Sequence, residues 1–136
     1  MSATTVTAFP RRTPPAILVI EDDALTRCLI SDELRARGFK VLEASAAHDA
    51  ILVLDAVRID LLFIDLHLPG VRSGLDVARL VRSRKLPIQM VLTSGKAIPS
   101  EHDLSDLGPF IRKPYLAARV IDLVSRCLNW PDAPQP

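Results

Sequence analysis

Four short polar clusters in this chain each come at the end of an apolar run. Glu21-Asp22-Asp23 follows Ile17 to Ile20, Asp65 follows Leu61 to Ile64, Thr93-Ser94-Gly95 follows Ile88 to Leu92, and Lys113-Pro114 closes the run that contains Phe110 and Ile111. If the first and third runs are neighbouring strands, Glu21, Asp22 and Asp65 meet in one pocket. Like charges at that range oppose one another's ionisation, so the cluster is costly unless a cation sits there or the groups are partly protonated. A hard divalent ion answers that cost. Oxygen-only ligands, with room left for water and a phosphate oxygen, suit magnesium better than zinc, which wants nitrogen or sulfur donors. Lys113 and Thr93 then offer a cation and a hydroxyl to an anion bound at the same place.

The elements that must hold these residues follow from periodicity. Five apolar runs read as strands: Ile17 to Ile20, Phe39 to Leu42, Leu61 to Ile64, Ile88 to Leu92, and a shorter Phe110-Ile111. The first and third are apolar without alternation, as strands covered on both faces of a parallel sheet are. Between them lie segments of helical period. Ala24 to Arg37 is helical by content and ends at Gly38, a fitting cap. Ala47, Ala50, Ile51 and Leu54 form one stripe, and Ala117, Val120, Ile121, Val124 and Leu128 another. From Leu75 to Ser83, Val77, Leu80 and Val81 lie opposite Asp76, Arg79 and Arg82, the pattern of a surface helix. The order βαβαβαβαβα predicts an α/β fold, a doubly wound five-stranded parallel sheet with helices on both faces and the binding site at the strands' carboxyl ends.

Composition narrows the function classes. At 136 residues and 49% hydrophobic the chain has material for one core, and 17 basic against 16 acidic residues mark neither a nucleic-acid surface nor an acidic tail. Cys28 and Cys127 show no ligand or disulfide spacing and read as buried small apolar residues. The beginning, residues 1–15, has no continuous apolar segment and reads as a disordered tail, neither signal peptide nor membrane anchor; residues 131–136 read as a second tail. The expectation is a soluble cytoplasmic protein whose folded part is residues 16–130.

Glu21-Asp22, Asp65, Thr93 and Lys113-Pro114, in that order at successive strand ends, resemble the response-regulator receiver domains of two-component phosphorelays. The resemblance spans nearly all of residues 16–130 and implies the flavodoxin-like strand order 2-1-3-4-5. It implies that Asp65 is the phosphoacceptor, taking a phosphoryl group from a phosphohistidine on a partner kinase or phosphotransfer protein. Mg²⁺ would be held by Asp22, Asp65 and the backbone carbonyl of His67, with Glu21 acting through a water. Lys113 and Thr93 would bind phosphoryl oxygens, and Phe110, three residues before the lysine, matches the family's switch aromatic. Phe110 as a plain core residue is an equal alternative. Such a protein is not an enzyme beyond its own phosphorylation and dephosphorylation.

Other residues have plainer readings. Asp23 is a helix cap, and His48 and His102 are surface residues. A haloacid-dehalogenase-like phosphatase would also use a strand-end Asp with Mg²⁺, but His67 stands where its second Asp belongs. A degenerate receiver that binds its partner without phosphorylation is the further alternative. Between Gly95 and Gly108, Pro99 and scattered polar residues predict a short or mobile fourth helix, and Pro109 fits a fifth strand at the sheet edge. Receivers dimerise or signal through the fourth helix, fifth strand and fifth helix, so this departure puts the usual homodimer in doubt. No helix-turn-helix is expected after Trp130, and output is expected through an unidentified partner protein rather than through direct nucleic-acid binding.

Overall fold

The structure, a computed structural model, describes residues 13–96 and 99–130. Of the tail expected over residues 1–15, residues 1–12 lie outside the described residues, as does the tail expected after residue 130; Pro15 is described, and its carbonyl accepts from the amide of Lys40 at 3.0 Å. Strands β1 (Ala16–Ile20), β2 (Lys40–Ala44), β3 (Leu61–Asp65), β4 (Gln89–Ser94) and β5 (Phe110–Arg112) alternate with helices α1 (Ala24–Ala36), α2 (Ala47–Ala56), α3 (Gly74–Ser83), α4 (Glu101–Leu107) and α5 (Ala117–Leu128). All pairings are parallel and the order is β2-β1-β3-β4-β5, as expected. β1 and β3 lie next to each other at the centre, and all five residues of each are buried.

Strand side chains alternate between two cores, one on each face. Leu18, Ile20, Leu62, Ile64, Met90 and Leu92 face one core, with Ala50 of α2, Val77 and Val81 of α3 and Leu107 of α4. Ile17, Val19, Leu61, Phe63, Val91 and Ile111 face the other, with Ile30 and Leu34 of α1 and Val120, Ile121 and Val124 of α5. Each fully buried aliphatic side chain contributes about 1.5–3 kcal/mol of transfer free energy, and the sheet is sandwiched because both its faces are apolar.

Helix ends follow local chemistry. The Asp23 carboxylate accepts from the amide of Thr26 at 2.9 Å and caps α1 as expected. Gly38, at φ +94°, takes the left-handed conformation beyond the helix's last residues. Ser73 and Asp76 close a capping box on α3. Next to it Gly74 is packed so tightly that a β-carbon there would fall 1.8 Å from the carbonyl oxygen of Asp65.

Two expectations need correction. Cys28 is exposed, its sulfur 3.7 Å from a carboxylate oxygen of Asp32, and Cys127 is half-buried. The inward face of α1 is set by Ile30 and Leu34, and a position two residues before Ile30 falls about 200° around the helix. Strand limits also shift: Phe39 is buried but precedes β2, which continues to Ala44, and β4 begins one residue after Ile88.

The fourth helix is short, seven residues, and it is fastened to α3. Arg79 pairs with Asp103 at 2.9 Å. Arg82 donates to the carbonyls of Asp106 and Leu107 at the end of α4 (2.8 and 3.1 Å) and to Ile88 O at 3.2 Å. The carbonyls of Asp106 and Leu107, in the last turn of α4, are among those a helix leaves without an intrahelical donor. Arg82→Ala is expected to lower stability by about 2 kcal/mol, because it strands several acceptors at once. Amide exchange in α4 should accelerate before any other segment. Exchange rates unchanged in α4 would contradict the fastening.

Candidate functional site

The strand order brings the carboxyl ends of β1 and β3 together, and with them the acidic residues. Glu21, Asp22 and Asp65 each present a carboxylate oxygen within 4.8 Å of the others. Glu21 and Asp65 are buried at 3% and 5% exposure, while Asp22 faces solvent. Lys113, carried past the end of β4 by β5, joins them: its Nζ lies 2.8 Å from Asp65 Oδ2 and also donates to Glu21 Oε1. The other oxygen of Asp65 accepts from the backbone amide of His67 at 2.9 Å, and Glu21 Oε2 accepts from the amide of Asp23 at 3.0 Å. Each buried carboxylate therefore has one backbone and one ammonium partner, which is how charges are kept below the surface.

Electrostatics follow the geometry. Burial pushes the Glu21 carboxyl up from its ordinary value, against the lowering pull of Lys113 and the Asp23 amide. Burial alone would lower Lys113, but its bonds to Asp65 and Glu21 outweigh that, and its pKa is raised. Nearby, Tyr115 is held up to about 12 by burial. Among the described residues its hydroxyl has no hydrogen-bond partner, and its ring meets Phe63 edge-on at 5.7 Å.

Thr93 pairs with Asp65 across β4 and β3, is 1% exposed, and its hydroxyl also lacks a partner among the described residues. An orphaned buried hydroxyl beside a carboxylate is a donor in waiting. Asp22, Asp65, His67, Gly95, Lys96 and Lys113 line an open pocket of about 470 Å³. Phe110 lies outside that lining, half-buried against the core on the α4 side, at the other end of β5 from Lys113. His48 and His102 are exposed, as read. The donor set, carboxylate oxygens on an open polar pocket, fits a hard divalent cation. Gly74 was not singled out from the sequence, yet it lets α3 start against the Asp65 carbonyl; its signal was the Ser-x-x-Asp capping pattern beside it.

Lys113 is the counter-charge of this site, so Lys113→Ala should cost about 3 kcal/mol at pH 7 by leaving buried carboxylates unpaired. The sign follows from Glu21. A carboxyl raised by folding binds its proton more tightly in the folded state, so stability falls as pH rises through the window above its ordinary value. Removing the ammonium deepens that fall. The gap between wild type and variant should widen from pH 4 to pH 7 in urea unfolding; a gap that stays flat would contradict the pairing.

Residues 17–125 match the family described as the response regulator receiver domain. Among curated proteins, the chain is 32% identical over 124 residues to the aerobic respiration control protein ArcA of Escherichia coli K12, covering 85% of this chain and 50% of that protein. It is also 32% identical over 110 residues to the transcriptional regulatory protein AfsQ1 of Streptomyces coelicolor, covering 79% and 48%. The chain thus spans about half the length of these relatives. Among solved structures, a response regulator receiver protein from Pseudomonas putida superposes with a TM-score of 0.76 at 29% identity, covering 85% of this chain and 99% of that one. The response regulator TrrA from Thermotoga maritima, solved in complex with Mg²⁺ and BeF, shares the fold with a TM-score of 0.74 at 24% identity, covering 82% and 97%. Among the described residues no helix is long and apolar enough to cross a membrane. The family match over most of the chain, on a sheet of the same strand order, makes this protein a member of the response-regulator receiver domains of two-component systems.

Proposed function

We propose that Asp65 accepts a phosphoryl group from a phosphohistidine on a partner histidine kinase or phosphotransfer protein, in a Mg²⁺-dependent reaction. The observation that carries this reading is the Lys113 ammonium held against Asp65 within a cluster of carboxylates. Asp65 is the nucleophile: a carboxylate oxygen forms the new bond to phosphorus, the bond from phosphorus to the imidazole nitrogen breaks, and the imidazole leaves with a proton. Glu21, Asp22 and Asp65, with the His67 carbonyl, are the residues that would hold Mg²⁺. When bound, the ion neutralises negative charge on the transferring group. Lys113 already neutralises the same region and pairs with a phosphoryl oxygen once Asp65 is modified. Thr93 supplies its unpartnered hydroxyl to another. The TrrA structure, with Mg²⁺ and BeF bound to that protein, supports the assignment by fold.

A second feature bears on the phosphodonor. Beside the acidic pocket, and sharing Gly95 and Lys113 with it, runs a groove of about 610 Å³ whose other walls include Leu29, Ile30, Pro114, Tyr115 and Leu116. Leu25, Leu29 and Leu116 are exposed at 69%, 58% and 72%. Exposed apolar surface next to a reacting group marks a docking site for a macromolecular partner, here the protein that carries the phosphohistidine. The change that follows phosphorylation is read by a target on α4, β5 and α5.

Intact mass after incubation with Mg²⁺ and acetyl phosphate tests the central step. A single phosphoryl adduct on wild type, lost with a chelator and absent from Asp65→Asn, is the expected result. No adduct on wild type, or an undiminished one on the variant, overturns the assignment. The groove has its own test. Leu29→Asp and Leu116→Asp should label normally with acetyl phosphate while transfer from a phosphorylated kinase that labels wild type falls tenfold or more. Equal loss with both donors would mean that the variants damage the site itself.

A further inference from the structure

The acidic pair is held from behind by an arginine that takes no part in the pocket. Arg27, in the first turn of α1, donates from Nη1 to the backbone carbonyl of Glu21 at 2.9 Å and from Nε to Glu43 Oε1 at 3.1 Å. The other oxygen of Glu43 accepts from Arg35 Nη2, also at 3.1 Å, and that nitrogen reaches Val41 O at 3.2 Å. Glu43 stands in register with Val19 on the neighbouring strand, on the sheet face that α1 covers. Two arginines on one face of α1 therefore grip one carboxylate on the edge strand β2, and the nearer of them passes the constraint on to the end of β1.

That contact falls at a sensitive place. The Glu21 carbonyl belongs to the peptide that leads into Asp22, so fixing its direction fixes the dihedrals on either side. The Glu21 side chain is pinned from the opposite direction by Lys113 and by the Asp23 amide. Asp22 is the exposed member of the cluster, and among the described residues no hydrogen bond or ion pair aims its carboxylate. An exposed ion pair such as Arg27 with Glu43 contributes little to stability. A guanidinium that ties a ligand-bearing peptide to a neighbouring strand does something else: it keeps the donors in place before the cation arrives.

We infer that Arg27, anchored by Glu43, is a positioning residue that orients the Glu21–Asp22 peptide for cation binding. The inference rests on the proposed Mg²⁺ site and deepens it. Partners that orient a ligand from outside the coordination sphere typically carry about 10-fold in metal affinity.

The test is calorimetric titration of the full unphosphorylated chain with MgCl₂ alone, for wild type, Arg27→Ala, Arg27→Lys, Glu43→Gln and the double variant Arg27→Ala/Glu43→Gln. Arg27→Ala should raise the Mg²⁺ Kd about 10-fold while the folded fraction at the assay temperature stays complete. Glu43→Gln should weaken binding less, and the double variant no more than Arg27→Ala, since the two residues act in series. Labelling by acetyl phosphate should need more Mg²⁺ in Arg27→Ala and recover the wild-type maximal rate at saturation, a split that loss of fold would not produce. If Arg27→Ala does not fold, Arg27→Lys carries the test, with an intermediate Kd expected because an ammonium cannot fork between the two acceptors. Wild-type Kd values in the folded Arg27 variants would overturn the inference. A wild type that binds no Mg²⁺ would overturn the proposed site itself, and the inference with it.

Discussion

Everything at the carboxyl edge of this sheet is arranged around a charge problem. Two carboxylates, Glu21 and Asp65, are buried side by side, and a third, Asp22, lies at their margin. Two unit charges at 4 Å repel by about 4 kcal/mol at an effective dielectric constant of 20, a large fraction of a domain's net stability. The Lys113 ammonium answers this by bonding to both. To do so it must come from β5, two strands away from β3, and pass over the end of β4. Gly95 stands at that crossing, where a β-carbon would already touch the lysine stem at 3.5 Å. Gly95 is the first residue past β4, and at that ordinary van der Waals distance the lysine stem packs closely over the strand end.

The same constraint explains why the site is built on strand ends and not on free loops. Asp65 is the last residue of β3, with both cores packed against the strand that carries it. Its two oxygens have different partners, the His67 amide and Lys113, so the carboxylate has one orientation. Gly74 lets α3 begin directly against the Asp65 carbonyl, which packs that backbone from the outside. Precision of this kind needs rigid elements on every side.

Much of this was legible in the sequence because strands are short and their ends are chemically abrupt. Apolar Ile17 to Ile20 stopping at Glu21-Asp22, and Leu61 to Ile64 stopping at Asp65, fixed both strand and site together. The strand order came from the family resemblance, since periodicity says nothing about which strands are neighbours. What stayed hidden was long-range and polar. Arg27 meeting Glu43, or Arg82 meeting the carbonyls of α4, joins residues 16 to 25 positions apart, and nothing local to either marks the pairing. Cys28 was misread for a different reason. Residue type gives an average tendency to be buried, whereas the helix phase set by Ile30 and Leu34 decides the individual case.

Thr93 shows how the site and the rest of the fold are joined energetically. A buried hydroxyl without a partner costs about 1–3 kcal/mol, and in the structure this cost falls on β4, next to Asp65. Under the proposed function, a phosphoryl oxygen on Asp65 would satisfy that hydroxyl, and the modified state would gain where the unmodified one is short of a bond. Thr93 stands in register between Asp65 of β3 and Ile111 of β5, so a bond formed there would draw it toward β3. Against β4 packs the short helix whose far end Arg82 fastens to α3. The beginning of α4 is tied as well, since Asp103 pairs with Arg79 and its amide donates to Ser100, so both ends of this helix are anchored while Phe110 beside it is only half-buried against the same core.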